Sequence, residues 1–124
     1  MKRTGRPVSP HVTIYAFPVA AISSITNRVT GCALSGVCAG IGLVELAGGS
    51  GTSLSLMQDI GTMSLIAPVS KFGLSFCFLY HYLGGVRHLW WDGSPDKLTN
   101  EGVEKSSYVL LGASTLLSAG LTLM

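Results

Sequence analysis

The chain has 124 residues, room for one domain, and is 48% hydrophobic but only 11% charged, where soluble proteins carry roughly 25% charged residues. That balance, with 16 glycines, excludes an ordinary small soluble domain and a disordered segment, and points to an all-α membrane protein. A net charge of +2 from dispersed basic residues excludes a nucleic-acid-binding patch.

The N-terminal stretch MKRTGRPVSPHVTIYAFP is basic and lacks an apolar core before a small-residue cleavage site. It is no secretory signal, and it is too short and proline-broken for an amphipathic transit peptide. Residues 1–17 are therefore expected to be an aqueous segment of a mature chain, or of one that needs no leader. The first apolar segment, residues 18–47, is interrupted only by Asn27 and Arg28 before Glu45. Thirty helical residues rise about 45 Å, more than the ~30 Å of hydrocarbon, so its first turns protrude. Gly36 and Gly40 form a GxxxG pair, read as ordinary bundle packing. The stretch AGGSGTSLSLMQD that follows reads as a polar loop.

The second apolar segment, residues 62–91, carries Lys71, His81, Arg87 and His88. Pro68 marks the first turn of its well-formed part or a kink. DGSPDKLTNEGVEK is a charged loop, and residues 106–124 form a third segment without a charge. Three transmembrane helices in a single membrane-anchor domain, 1–124, account for nearly the whole chain. Three helices enclose little volume, so the bundle is expected to be completed by helices of other chains.

Lys2, Arg3 and Arg6 precede the first helix, Lys97 and Lys105 lie in the second loop, and the first loop has neither Lys nor Arg. The positive-inside rule then puts the N-terminus inside and the C-terminus outside. Tyr15, Phe17, Trp90, Trp91 and Tyr108 fall near the inner interface, where amphipathic aromatics belong. Cys32, Cys38 and Cys77 lie inside apolar runs without CxxC spacing, and read as packing residues.

Ionisable groups at membrane depth are costly and mark function. Arg28 on the first helix and His81 on the second, antiparallel one both fall roughly 15 Å from the inner boundary. They could face one site. His81, Gly84, Gly85 and His88 follow the i, i+3, i+4, i+7 pattern of one helical stripe, with the histidines about 10 Å apart along the axis. A bulky planar group could lie against the glycine gap, and haem fits: neutral imidazole is a common axial ligand, and propionates suit Arg28 or protonated His88. His88 cannot reach the opposite face of the ring, so a second axial ligand would come from another chain.

Plainer readings compete on pattern alone. Arg87, His88 and Lys71 could snorkel to an interface. His81 could hydrogen-bond between helices, and Ser24, which shares the face of Arg28, could be bonded back to its own helix.

RPVSPHVTIY (6–15), SSITNRVTG (23–31) and YHYLGGVRHLWWD (80–92) resemble, in order and spacing, the cytochrome b family of succinate dehydrogenase. That family is the larger of the two membrane anchors of respiratory complex II, and its pattern reads roughly RPxSPHxxIY, SIxHRxTG and YHxxxGxRHxxxD. The opening motif is similar to the mitochondrial and α-proteobacterial branch. The resemblance implies three helices paired with a second small anchor subunit around one haem b. It implies a flavoprotein subunit and an iron–sulfur subunit docked on the inner side, and electrons passing from succinate to ubiquinone. The location implied is the mitochondrial inner membrane or an α-proteobacterial plasma membrane. Residue by residue, it implies His81 as the axial ligand of the haem iron, Ser24 and Arg28 at the quinone site, and Arg28 and His88 at the propionate edge. No catalytic residue is implied in this chain by itself. Where the family has histidine before the arginine, this chain has Asn27, which can hydrogen-bond but cannot take up a proton. A structural anchor that has lost its haem, and the anchor of a fumarate reductase, are the alternative readings.

Overall fold

A computed structural model describes Gly5 and residues 7–124; Lys2, Arg3 and Arg6, counted above among the inner charges, lie outside the described residues. Four α-helices follow one another: α1 (Val19–Gly48), α2 (Thr52–Gly61), α3 (Ile66–Gly93) and α4 (Asn100–Leu123). Single 3-10 turns at His11–Ile14 and Pro95–Lys97 precede α1 and α4. Helix α3 is packed most extensively on α4 and next on α1, and α1 also touches α4.

Local chemistry sets the helix ends. Pro18, extended at ψ 153°, starts α1. Pro68 is the third residue of α3, inside the first turn, where its missing N–H has no partner to lose. Thr99 caps α4, its hydroxyl accepting from the Gly102 N–H at 3.1 Å. The third helix therefore starts at Asn100 and not at 106, because a threonine cap recruits polar residues that hydropathy alone assigns to the loop.

The stretch after α1, expected to be a loop, instead contains α2. Its cap residue is Gly51, whose φ of 90° suits glycine. The missing cap comes from α1: the Glu45 carboxylate accepts from the Gly51 N–H at 2.9 Å, the Ser53 N–H at 3.0 Å and the Ser53 hydroxyl. An anion at a helix N-terminus satisfies otherwise orphaned donors and meets the positive end of the dipole. The α2 and α3 axes are bent by 117° at their junction.

The interior is small and polar. Among the described residues the buried large apolar side chains are Tyr80 and Leu110, and the buried polar ones are Ser23, Thr30, Ser107, Ser114 and Ser118. On α4, Ser107, Leu110, Ser114 and Ser118 form one stripe at i, i+3, i+7 and i+11. Each serine donates to the carbonyl four residues back, at 2.7, 2.7 and 2.6 Å. Back-bonded hydroxyls cost little inside a bundle and let backbones approach closely. Many large apolar side chains are instead exposed, among them Val29, Leu43, Val69, Phe78 and Leu116. Helices α1 and α4 are each long and apolar enough to span a bilayer, and α2 with α3 meet that standard as a bent pair.

Candidate functional site

The face of α3 toward the bundle is Tyr80, Gly84, Arg87 and Trp91, at i, i+4, i+7 and i+11. Tyr80 donates to Ser23 Oγ on α1 at 2.9 Å, and lies 3.3 Å from the Ser23 carbonyl. Arg87 forks: Nη2 donates to the same Ser23 Oγ at 3.2 Å, and Nη1 to Ser107 Oγ on α4 at 3.1 Å. Its guanidinium lies 4.7 Å from the centre of the Trp91 ring, a cation–π distance. Arg87 thus turns inward and ties three helices, in contrast to the snorkelling arginine that its place near the helix end suggests. Ser23, Tyr80 and Ser107 are not among the site residues expected from the sequence. The recoverable signal was the shared helical face of Tyr80 and Arg87.

His81 stands beside this face, against α1. Its Nδ1 lies 2.9 Å from the Asn27 carbonyl oxygen. A carbonyl only accepts, so Nδ1 carries a proton, and in the neutral ring Nε2 is then the nitrogen with the lone pair. The ring rests on Gly31, where a Cβ would come within 2.6 Å of His81 Cε1. Despite that seat the side chain is exposed. The Nδ1–H to backbone carbonyl bond is the support that ligating histidines ordinarily have. The donor set therefore fits a group taking an imidazole nitrogen as axial ligand.

The glycine stripe is divided between two uses. Gly84 is buried, and a Cβ there would overlap Asn27 Oδ1, so the Asn27 side chain fills that hollow. Gly85 has nothing within 4 Å of a Cβ. Only Gly85, then, leaves an open face beside His81. The expected gap at both glycines is half closed because Asn27 uses Gly84 to bring α1 against α3.

Ser24 is half-buried and Arg28 exposed. Neither side chain makes a hydrogen bond to another described residue, whereas Thr26, Thr30 and Ser35 on the same helix are bonded back to it. The structure brings Ser24 and Arg28 to one outer side of α1, next to the Asn27–Gly31 turn on which His81 rests. It does not bring them into contact with His81. His88 is exposed and meets Trp91 edge-on at 5.5 Å. Lys71 and Cys32 are exposed as well, and Cys77 is half-buried. Gly36 and Gly40 meet nothing within 4 Å, so close helix approach inside the chain occurs at Gly31 and Gly84 and not at the GxxxG pair.

With this geometry in view, the family model for the succinate dehydrogenase/fumarate reductase transmembrane subunit matches residues 2–121. The chain is 35% identical over 124 residues to the mitochondrial succinate dehydrogenase cytochrome b560 subunit of Dictyostelium discoideum, covering 95% of this chain and 62% of that protein. Against the pig mitochondrial cytochrome b560 subunit it is 37% identical over 123 residues, covering 98% and 72%. Against the cytochrome b556 subunit of Paracoccus denitrificans it is 35% identical over 121 residues, covering 95% and 90%.

Proposed function

Because the chain belongs to the succinate dehydrogenase/fumarate reductase transmembrane subunit family, we propose that it is the larger membrane anchor of a succinate:ubiquinone oxidoreductase. Its membrane is the mitochondrial inner membrane or an α-proteobacterial plasma membrane, in keeping with the mitochondrial and Paracoccus relatives. It crosses three times, with the N-terminus and the α3–α4 loop inside and the C-terminus outside. A second small anchor subunit completes the bundle and supplies the other axial histidine. A flavoprotein and an iron–sulfur subunit dock on the inner side.

The observation that carries this reading is the His81–Asn27 bond. It fixes the tautomer, fixes the ring plane against Gly31, and leaves Nε2 as a free ligand on an exposed side chain. Haem b when bound supplies reversible one-electron chemistry at its iron. His81 would hold that iron from this chain's side, Gly85 leaves room for a planar neighbour, and Arg28 and His88 would be the donors available to propionates.

Ser24 and Arg28 serve ubiquinone. A quinone carbonyl that gains electrons develops negative charge, which a fixed hydroxyl and guanidinium in a dry site stabilise. Neither side chain spends a donor on another described residue. Arg28 supplies charge and so contributes more than Ser24.

A dithionite-reduced minus oxidised spectrum of the purified complex tests the haem assignment. A b-type α-band is expected in the wild type and is expected to vanish in His81→Ala; a band that survives the substitution sinks the assignment. Ser24→Ala and Arg28→Ala should each lower succinate–quinone reductase activity about tenfold to a hundredfold, the worth of a hydrogen bond to a charged group, while succinate-driven reduction of an artificial dye stays normal. Unchanged quinone reduction in both variants would remove the quinone role.

A further inference from the structure

At the end of the bundle where α3 passes into α4, a groove of about 560 Å³ opens between the two helices. Its apolar walls include Leu83, Val86, Val109, Leu110 and Ala113, and Arg87, Trp90, Trp91 and Lys97 line it as well. We propose that this groove binds one anionic phospholipid, its acyl chain along the apolar walls and its phosphate against the two cations.

Charge carries the argument. Both cations lie over indoles, Arg87 over Trp91 at 4.7 Å and Lys97 over Trp90 at 5.2 Å, and no acidic side chain lines the groove. The acids of the neighbouring loop and helix, Asp92, Asp96, Glu101 and Glu104, are exposed, and none of them lines the groove. Among the described residues the one ion pair is Lys105 with Glu101. Arg87 is therefore half-buried with two hydroxyls and a ring as partners but no counter-ion, and its Nε is buried without an acceptor. A partly desolvated guanidinium is stabilised when an anion balances it. Phosphate suits it because Arg and Lys both bind phosphate oxygens strongly. Tryptophans mark headgroup depth, and the walls beyond them are as apolar as an acyl chain requires. The proposal rests on the chain's lying in a membrane and not on the haem or quinone assignments.

The assembled complex is reconstituted in phosphatidylcholine nanodiscs containing a trace of phosphatidylglycerol with a photoreactive acyl chain. After illumination and digestion, label is expected on segments 83–91 and 106–113. Unlabelled phosphatidylglycerol should compete and added phosphatidylcholine should not. Lys97→Gln should weaken capture about fivefold, the worth of one lysine at an anionic headgroup. Lys71→Gln, at the opposite end of α3, should change nothing. Equal competition by phosphatidylcholine, or labelling indifferent to Lys97→Gln, overturns the proposal. So does the absence of label from both segments, which would mean that a neighbouring protein covers the groove.

Discussion

At Gly31 a side chain would have to share space with the His81 imidazole, since a Cβ there lies 2.6 Å from Cε1 and 3.1 Å from Nδ1. An aromatic ring cannot fold aside as a lysine tail can, so Gly31→Ala should push His81 away from the Asn27 carbonyl. The expected result is a weakened or missing b-type band in the difference spectrum. Gly36→Ala, five residues on in the same helix with nothing within 4 Å, should keep the band intact. An unchanged spectrum in Gly31→Ala would mean that the glycine seat does not position the ligand. That His81 meets a neighbouring helix was legible because a histidine at membrane depth flanked by glycines seeks a polar partner there. The roles of Ser23 and Arg87 were not: an arginine near a helix end reads as snorkelling until α4, twenty residues further along the chain, supplies Ser107 to hold it. Asn27 was legible only as a departure from the family motif. Its side chain over Gly84 and its carbonyl on His81 depend on how α1 and α3 are brought together in space.

Among the elements, α2 shows how a remote group can create a helix. Its ten residues begin after two positive-φ glycines, Gly49 and Gly51, and a Gly/Ser-rich opening of this kind reads as loop. What reverses that reading is one carboxylate from the last turns of α1, accepting three bonds from Gly51 and Ser53. Glu45→Ala should therefore fray α2 from its N-terminus. Hydrogen exchange in the complex would then be faster at residues 52–58 and unchanged in α3 and α4. If exchange in α2 does not respond, packing on α1 and α3 holds the helix and the cap is incidental. The long helices were legible from their apolar runs, since 20 or so such residues have few alternatives. Their ends were not, because a cap such as Thr99 or Glu45 acts through hydrogen bonds that hydropathy does not register.

For the molecule as a whole, the question is what keeps three helices together when the apolar core amounts to Tyr80 and Leu110. In a bilayer, burying more leucine gains nothing over lipid, so close backbone approach and interhelical hydrogen bonds must do the holding. The α4 serine stripe and the glycines Gly31 and Gly84 provide the approach. Arg87 provides the bonds, reaching α1 through Ser23 and α4 through Ser107 from a single planar fork. Lysine has the same charge but a point-like head, and cannot hold two hydroxyls on different helices in that geometry. Arg87→Lys should consequently lower the thermal midpoint of the detergent-solubilised complex, and Arg87→Met should do so at least as much. Ser23→Ala should cost about 1.5–3 kcal/mol, as expected for a hydrogen bond to a charged group, with Tyr80 left only the backbone carbonyl of residue 23 as acceptor. In a double-mutant cycle, Ser23→Ala should have a smaller effect once Arg87 is already Met, because the bond it removes is gone. Strict additivity, or a wild-type midpoint in Arg87→Lys, would mean that helix shape alone maintains the bundle. Coupling between positions 23 and 87 would instead make Arg87 the residue through which α1 is held in register with α4.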